Sequence, residues 1–324
     1  MVYGSAPGVA LDSPKIDILN GSAWDWWYFD AVSYSADQTI SVVFTISEPA
    51  NFAAQGFFNQ TTFVQIQAQF TNGTRYVNLV PAKLASIRTE GEGSWGQFVE
   101  TGISWEGTAD LSKYVVTFDD STLGIKGNIT LDSIALPHYP CGPLCSNENL
   151  EIGPTVGWAN AIPDANASVN LNFFGTDMIF EGSGYHDKNW GSIPFSVSVR
   201  NWYWGHARVG PYSLVWFDFL DPEGNESSSG YLYNSTTQSI VAASCSSLKA
   251  RPTGQNSTYP PTNMHAMPEG FHIEFDIEGG AVFEIDVTND IETLDLGVQG
   301  YTRWIGACTG GVRGEVFEHG IALF

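Results

Sequence analysis

The sequence predicts an all-β fold divided into two domains. Aromatic and β-branched residues form short runs separated by turn residues, which is the pattern of strands. No segment shows sustained apolar periodicity of 3.6 residues, so any helix is expected to be short. The length of 324 residues favours two domains over one. We place the boundary after Phe195, which gives an N-terminal domain over 1–195 and a C-terminal domain over 196–324.

The N-terminal domain begins as a series of hairpins. The runs WWYFDAVSY and TISVVFTIS, separated by SADQ, predict the first hairpin. In TTFVQIQAQF the residues alternate, so that Gln65, Gln67 and Gln69 share one face of a strand. The segment 136–165 is rich in Pro, Gly and Asn, and we interpret it as a long connection.

The C-terminal domain contains eight predicted strands in about 130 residues. Eight up-and-down strands are enough to close a barrel that holds one small ligand. The Pro-rich segment 249–268 is expected to be a loop that could cover the barrel mouth. The predicted strands are VRNWYWGHARV, YSLVWFDFL, GYLYNS, SIVAASC, GFHIEFDI, AVFEIDVTND, QGYTRWIGAC and GVRGEVFEHGIALF.

Composition restricts the partners of the protein. The formal net charge is −22, and a surface this acidic repels phosphate backbones and anionic lipid headgroups. We therefore expect neither a nucleic-acid nor a membrane partner, and no apolar run reaches 18 residues. Aromatic residues make up 14% of the chain, which suits a thick β core or an apolar ligand pocket. Whether the protein forms a homodimer is left open.

Eight Asn-x-Ser/Thr sequons indicate the secretory pathway, because chance predicts about three in this composition. The N-terminus lacks the basic and apolar regions of a signal peptide, and we interpret this as the result of its removal. Four cysteines allow three disulfide pairings, and we expect Cys141–Cys145 and Cys245–Cys308. The predicted glycosylation sites are Asn20, Asn59, Asn72, Asn128, Asn166, Asn225, Asn234 and Asn256.

Three motifs carry a resemblance to a known family. SAWDWWYFDAVS (22–33), GWANAIPDANASVNL (157–171) and GYHDKNWG (184–191) resemble, in this order, motifs of the fungal Diels–Alderases. That group belongs to a wider set of lipocalin-like proteins, which includes carotenoid hydratases of the hydroxyneurosporene-synthase type. The resemblance spans nearly the whole chain. It implies an N-terminal β-sandwich or open barrel and a C-terminal up-and-down β-barrel, both lipocalin-like, with no cofactor and no metal.

The resemblance implies a pericyclase that catalyses a stereoselective [4+2] cycloaddition. Such a reaction needs a folded, pre-organised apolar substrate and hydrogen-bond donors at a carbonyl rather than a nucleophile. The sequons and the even cysteine count favour the hetero-Diels–Alder branch, which joins a tropolone o-quinone methide to a humulene-type sesquiterpene. The alternatives are a decalin-forming cyclase acting on a polyene, a terpenoid hydratase or isomerase with Asp187 as the acid, and a non-catalytic carrier.

Alternation within WDWWYFDA places Tyr28 and Asp30 on one face of a strand, together with two Trp residues. An Asp directed inward among aromatic side chains needs a partner or a raised pKa, which makes Asp30 a pocket candidate. In GYHDKNWG, either Asp187 or Tyr185 orients the substrate, or the motif is a polar structural corner. Lys188 is expected to point to solvent.

In the C-terminal domain, Arg303 or Arg208 could donate hydrogen bonds to a substrate oxygen, or could pair with an Asp across barrel strands. The candidate catalytic residues are Arg303, Asp30, Tyr185 and Asp187. The candidate substrate-binding residues are Tyr28, Gln65, Trp158, Asn189, Trp204, Arg208, Trp216 and Trp304.

Overall fold

The computed structural model divides the chain into two compact units. Unit 1 comprises Met1–Pro137 and Pro154–Ser198, and unit 2 comprises His138–Gly153 and Val199–Phe324. The all-β prediction is confirmed: among the described residues the α-helix α1 has four residues (Phe195–Ser198), and a 3-10 turn lies at Glu278–Gly280. The structure describes residues 2–3, 10–16, 22–48, 51, 60–120, 123–145, 148–262, 267–295 and 301–324.

The first ten strands of the chain lie in unit 1 and three short strands follow in unit 2. In unit 1 they are β1 Val2–Tyr3, β2 Trp24–Ser33, β3 Thr39–Ser47, β4 Thr62–Gln69, β5 Arg75–Pro81, β6 Leu84–Glu90, β7 Gly93–Val99, β8 Ile103–Gly107, β9 Lys113–Asp120 and β10 Ile125–Ser133. In unit 2 they are β11 His138–Tyr139, β12 Gly142–Pro143 and β13 Glu151–Gly153.

Two long strands, β14 Val156–Phe173 and β15 Thr176–Gly191, complete unit 1. Its sheet follows the order β1-β6-β7-β8-β9-β10-β14-β15-β2-β3-β4-β5 and curls into a half-barrel. The two arms of the sheet pack together through aromatic side chains, with Phe44 of β3 lying 4.6 Å from Trp105 of β8, measured between ring centroids. This packing is that of the predicted sandwich or open barrel.

The interpretation of 136–165 as a connection is wrong for the second half of this segment. β14 begins at Val156 and pairs with β15 along most of its length. Its register shifts between Asn160 and Ala165, around Pro163. Proline cannot donate to a ladder, so the strand accommodates it at an irregularity, and the Pro and Gly content of this segment hid the strand from sequence reasoning.

The remaining strands of unit 2 build a nearly closed barrel. They are β16 Asn201–Val209, β17 Tyr212–Leu220, β18 Glu226–Asn234, β19 Ser239–Cys245, β20 Leu248–Thr253, β21 Gly270–Ile277, β22 Ala281–Thr288, β23 Ile291–Asp295, β24 Thr302–Val312 and β25 Phe317–Leu323. The order β19-β18-β17-β16-β25-β24-β22-β21-β20 is up-and-down around the ring, and among the described strands the ladder is open between β19 and β20.

Two of these strands were not predicted, β20 and β23. The stretch Leu248–Thr253 falls where a loop was expected, because it contains Lys, Arg and Pro. In the structure, Leu248, Ala250 and Pro252 are buried while β20 pairs with β21, so the strand lies at the edge of the ladder, where proline is tolerated. The barrel interior is filled by a cluster that includes Trp216, Phe271 and Phe324.

The predicted disulfide pairing is wrong. Cys141 bonds Cys245 across 104 residues of chain, which ties the β12 end to β19 within unit 2. Cys145 is exposed and Cys308 is buried in the barrel core, and both are free thiols. Local spacing could not reveal the pairing, because the fold brings Cys141 and Cys245 to a Cα–Cα distance of 4.6 Å.

Candidate functional site

The motif GYHDKNWG is neither a corner nor a loop, because it forms the last half of β15. β15 pairs antiparallel with β2, and the register places Asp187 opposite Tyr28 and Tyr185 opposite Asp30. Side chains of directly paired residues point to the same face of a sheet. The two strands therefore bring Tyr28, Asp30, Tyr185 and Asp187 together on one face, which we call the acid face.

Hydrogen bonds organise the acid face around its two carboxyl groups. The Tyr185 hydroxyl donates to Asp187 Oδ2 at 2.7 Å, and Trp158 Nε1 from β14 donates to the same oxygen at 2.8 Å. The Tyr28 hydroxyl donates to Asp30 Oδ2 at 2.7 Å. Among the described residues, Asp187 Oδ1 accepts no hydrogen bond.

Burial raises the pKa of Asp187 to about 6. Hydrogen bonds from Tyr185 and Trp158 and the nearby His186 oppose this rise, while the Asp30 carboxylate adds to it. Only 3% of Asp187 is exposed, so the charged form lacks the hydration that stabilises a surface carboxylate. A carboxyl group with this pKa exchanges protons near neutral pH.

Polar and aromatic side chains extend the acid face along the sheet. Trp26 is half-buried, and its Nε1 donates to Asn189 Oδ1 at 2.9 Å. Asn189 Nδ2 in turn donates to the carbonyl of Gly157 at 3.3 Å. Gln65 of β4 is half-buried and lies in the same row as Tyr28, linked through Val43 of β3. The face therefore combines aromatic surface with neutral donors and the two carboxyl groups of Asp30 and Asp187.

The opposite face of β15 is a second buried polar cluster, and here the prediction for Lys188 is wrong. Lys188 is fully buried, and its Nζ lies 2.5 Å from Asp25 Oδ1 and 4.1 Å from the Trp27 ring centroid. Burial lowers the pKa of Lys188 and raises that of Asp25, while their mutual attraction opposes both shifts. A buried lysine requires such a partner, and Asp25 is 163 residues away in sequence.

The candidates in unit 2 separate onto the two faces of the barrel wall. Trp216 is a fully buried member of the interior core, and Trp304 packs against that core with its ring 5.9 Å from Phe324. Trp204 and Arg208 are half-buried and alternate with the interior residue Ala207, so they lie on the outer face. Arg303 is buried and donates to the Tyr301 hydroxyl.

Sequence reasoning missed a second buried carboxyl group, Asp218 of β17. Its Oδ2 accepts hydrogen bonds from the Ala250 backbone at 2.8 Å and from Arg251 Nη1 at 2.9 Å. Arg251 Nη2 also contacts Glu226 Oε1 at 2.6 Å. Burial raises the pKa of Asp218 to about 7, and the Glu226 carboxylate adds to the rise while Arg251 opposes it. The sequence offered one indication of this group. In LVWFDF, Asp218 lies two residues after the candidate substrate-binding residue Trp216, so the two side chains share a face of the strand.

Five of the predicted glycosylation sites are exposed, namely Asn72, Asn128, Asn166, Asn225 and Asn256. Asn234 is half-buried, and Asn20 and Asn59 lie outside the described residues. Within the described ranges, no group of three or more His, Cys, Asp or Glu side chains could hold a metal ion. No helix of the described chain is long and apolar enough to cross a membrane.

Comparison with known proteins identifies the relatives of the chain. A family described as Diels-Alderase-like matches residues 4–288. The chain is 36% identical to the quinolone epoxide rearrangement protein penF of Penicillium thymicola, over 97% of this chain and 87% of that protein. It is 33% identical to the quinolone epoxide rearrangement protein asqO of Emericella nidulans, over 97% and 86%. The crystal structure of CghA shares the fold, with a TM-score of 0.77 and 21% identity over 99% of this chain and 93% of that one.

Proposed function

Since the chain belongs to the Diels-Alderase-like family, we propose that it is an isomerase that rearranges an epoxide on a rigid aromatic substrate. Two relatives matched over 97% of the chain are named quinolone epoxide rearrangement proteins, which supports this substrate class. The single observation that carries the proposal is Asp187, a buried acid with a pKa raised to about 6 on an aromatic face.

The proposed reaction begins with a proton transfer. The protonated carboxyl group of Asp187 gives its proton to the epoxide oxygen, and one C–O bond breaks. Positive charge develops at the carbon beside the aromatic ring, and a neighbouring group migrates to it. The proton then returns from the product to the Asp187 carboxylate, so the reaction is an isomerisation that gains and loses no atoms. A pKa near the working pH suits a group that must both give and regain a proton.

The surroundings of Asp187 suit a cationic rearrangement. The π faces of Tyr28, Tyr185 and half-buried Trp26 lie on the same side of the sheet, and such faces stabilise a nearby cation by about 0.5–2 kcal/mol each. Burial of Asp187 keeps bulk water away from the developing cation. This exclusion matters because water would add to the cation and give a diol. The face therefore favours migration over hydration.

A test with three substrates separates this function from its rivals. The purified protein is incubated with an aryl-quinolone epoxide, with a linear polyene tetramic acid, and with a tropolone o-quinone methide plus humulene. Products are analysed by chiral chromatography and mass spectrometry against a no-protein control. We expect a new isomer of the epoxide with unchanged mass. A product heavier by one water would mean a hydratase, and recovery of bound, unchanged ligand would mean a carrier.

A [4+2] cycloaddition is the second candidate, and the family description favours it. The same face could fold a diene against a dienophile, and pre-organisation of this kind is worth up to about 7–11 kcal/mol of the barrier. The tyrosine hydroxyls could donate to a carbonyl of the acceptor. A single stereoisomer formed from the polyene, or from the quinone methide and humulene, would replace the isomerase proposal with this one.

We also propose that the protein passes through the secretory pathway and is glycosylated, and the exposure of five sequon asparagines supports this. Protein recovered from its natural source should lose mass on treatment with an endoglycosidase that removes N-linked glycans. An unchanged intact mass would contradict glycosylation.

A further inference from the structure

A buried ion pair lies directly behind the acid face. His186 follows Tyr185 in β15 and points to the opposite face, where its Nε2 lies 3.2 Å from Asp12 Oδ1. Both side chains are fully buried. The contact is an ion pair rather than a well-aligned hydrogen bond. The proposed rearrangement does not use this pair directly, so the energetic cost of burying it calls for another role.

Both ring nitrogens of His186 lie beside oxygen atoms. Its Nδ1 lies 2.8 Å from the backbone carbonyl oxygen of Tyr28, which can only accept. Its Nε2 faces Asp12, whose other oxygen accepts from the Tyr114 hydroxyl at 2.7 Å and from the Ser94 hydroxyl. The carbonyl oxygen beside Nδ1 and the carboxyl oxygen beside Nε2 are both acceptors.

A ring contact of His186 and the pKa of Asp12 both suit an ion pair at this position. The Phe29 ring stacks on the imidazole with centroids 3.9 Å apart and an angle of 8° between the planes, which suits a cation above a π face. Burial alone would raise the pKa of Asp12, but His186, Ser94 and Tyr114 together lower it. The surroundings of Asp12 therefore favour its carboxylate form beside His186.

We propose that Asp12 and His186 act through β15 as a positioning pair for Asp187, by fixing the strand register at the acid and by placing a positive charge behind it. The register contact is the His186 bond to the backbone of Tyr28, because Tyr28 is the residue directly opposite Asp187. The charge favours ionised Asp187 and so limits the rise in pKa that burial causes. This inference rests on the proposed function, in which Asp187 gives and regains a proton.

Other titratable groups surround Asp187 and His186. On the acid face, Tyr28 and Asp30 of β2 and Tyr185 of β15 face Asp187. On the opposite face, the Asp25–Lys188 pair, Lys15 and Tyr114 of β9 accompany the Asp12–His186 pair. Lys188 lies beside a carboxylate of its own, so its charge is compensated locally. His186 and Lys188 both adjoin Asp187 in the chain and both lie beside a carboxyl group, so the experiment removes His186 alone and together with Asp12.

The test measures the protonation of Asp187 directly, without substrate. Protein labelled with 13C at the aspartate carboxyl carbon is titrated by NMR, and the Asp187 resonance is assigned from its loss in Asp187→Asn. We expect His186→Gln to raise the pKa of Asp187 by about one unit, the size of one removed charge in a medium of effective dielectric near 20. The double variant Asp12→Asn/His186→Gln leaves no unpaired charge and should shift the pKa in the same direction by less.

A matched control is His272→Gln in unit 2, where an imidazole also contacts a carboxylate, Asp286, at 2.8 Å but is exposed. This variant should leave the Asp187 titration unchanged. An unmoved Asp187 pKa in the folded double variant would overturn the inference, even if His186→Gln fails to fold. If the pKa moves but Asp187→Asn retains full turnover, the positioning role stands and the proposed function falls.

Discussion

Each unit of the molecule buries a carboxyl group whose pKa is raised to near neutrality, Asp187 in unit 1 and Asp218 in unit 2, and the two groups differ in their hydrogen-bond partners. Asp187 in unit 1 accepts hydrogen bonds from neutral donors, Tyr185 and Trp158, and its pKa is about 6. Asp218 in unit 2 accepts from the Ala250 backbone and from the Arg251 guanidinium, and its pKa is about 7. Similar titration therefore arises in two different surroundings.

A raised pKa alone therefore does not identify a catalytic acid. Asp218 joins β17 to β20 across the interior of the barrel, next to the opening between β19 and β20. Its ionisation is tied to Arg251 and Glu226, so a change in its charge disturbs a structural link. Asp187 can lose and regain a proton without breaking an ion pair, which is what acid catalysis requires.

Substitution of Asp187 and of Asp218 should have very different effects on kcat. Asp187→Asn should lower kcat for the epoxide rearrangement by about 10²–10⁴-fold, the usual contribution of a general acid, and leave the protein folded. Asp218→Asn should leave kcat unchanged and cost about 1–3 kcal/mol of unfolding free energy, because it removes a buried hydrogen-bond partner. Steady-state kinetics and thermal unfolding of both variants test this, and equal losses of kcat would break the comparison.

The pH dependence of turnover gives the next largest effect. If Asp187 must be protonated to act, kcat should fall as the pH rises above about 6 and approach a tenfold loss per pH unit. Asp218→Asn should give the same profile, since its titration is not linked to the reaction. A rate that instead increases through pH 6 would mean that ionised Asp187 is the active form, acting as a base.

The strand pattern predicted from the sequence was largely correct because alternation is local. The placement of Tyr28 and Asp30 on one face and of Trp27 on the other follows from a period of two residues. The partners on neighbouring strands were not accessible in this way. Lys188 looked like a surface lysine because Asp25, which explains its burial, lies 163 residues away.

Contacts between distant segments also decide the parts of the candidate site that sequence reasoning could not reach. Trp204 and Trp304 were both candidate substrate-binding residues, yet the fold places them on opposite faces of the barrel wall. Asp12 and His186 meet because the segment 10–16 packs against the sheet, where Trp27 Nε1 donates to the Asp12 carbonyl at 3.1 Å. Nothing in the local pattern around Asp12 indicates this contact.

The stability of the folded protein should depend on pH through Asp218. The folded-state pKa of Asp218 is raised from an ordinary value of 3.8 to about 7, so its stabilisation is fully present below about pH 4 and is lost as the pH rises through 7. Asp218→Asn removes this dependence, and the difference in Tm from the unmodified protein should narrow by a few degrees between pH 5 and pH 8. Calorimetry across this range tests it, and a gap that widens with pH would reverse the sign.

The smallest expected effect concerns the neutral donors that distinguish the two sites. The Tyr185 hydroxyl bonds Asp187 and lowers its pKa, so Tyr185→Phe should raise that pKa by about half a unit to one unit. The falling limb of the kcat profile should move to higher pH by the same amount. Tyr259→Phe is the matched control, because Tyr259 donates to Glu226 at 2.8 Å beside Asp218. If Tyr259→Phe moved the limb as far as Tyr185→Phe, the limb would report the carboxyl group of unit 2, and Asp218 would have to replace Asp187 as the acid.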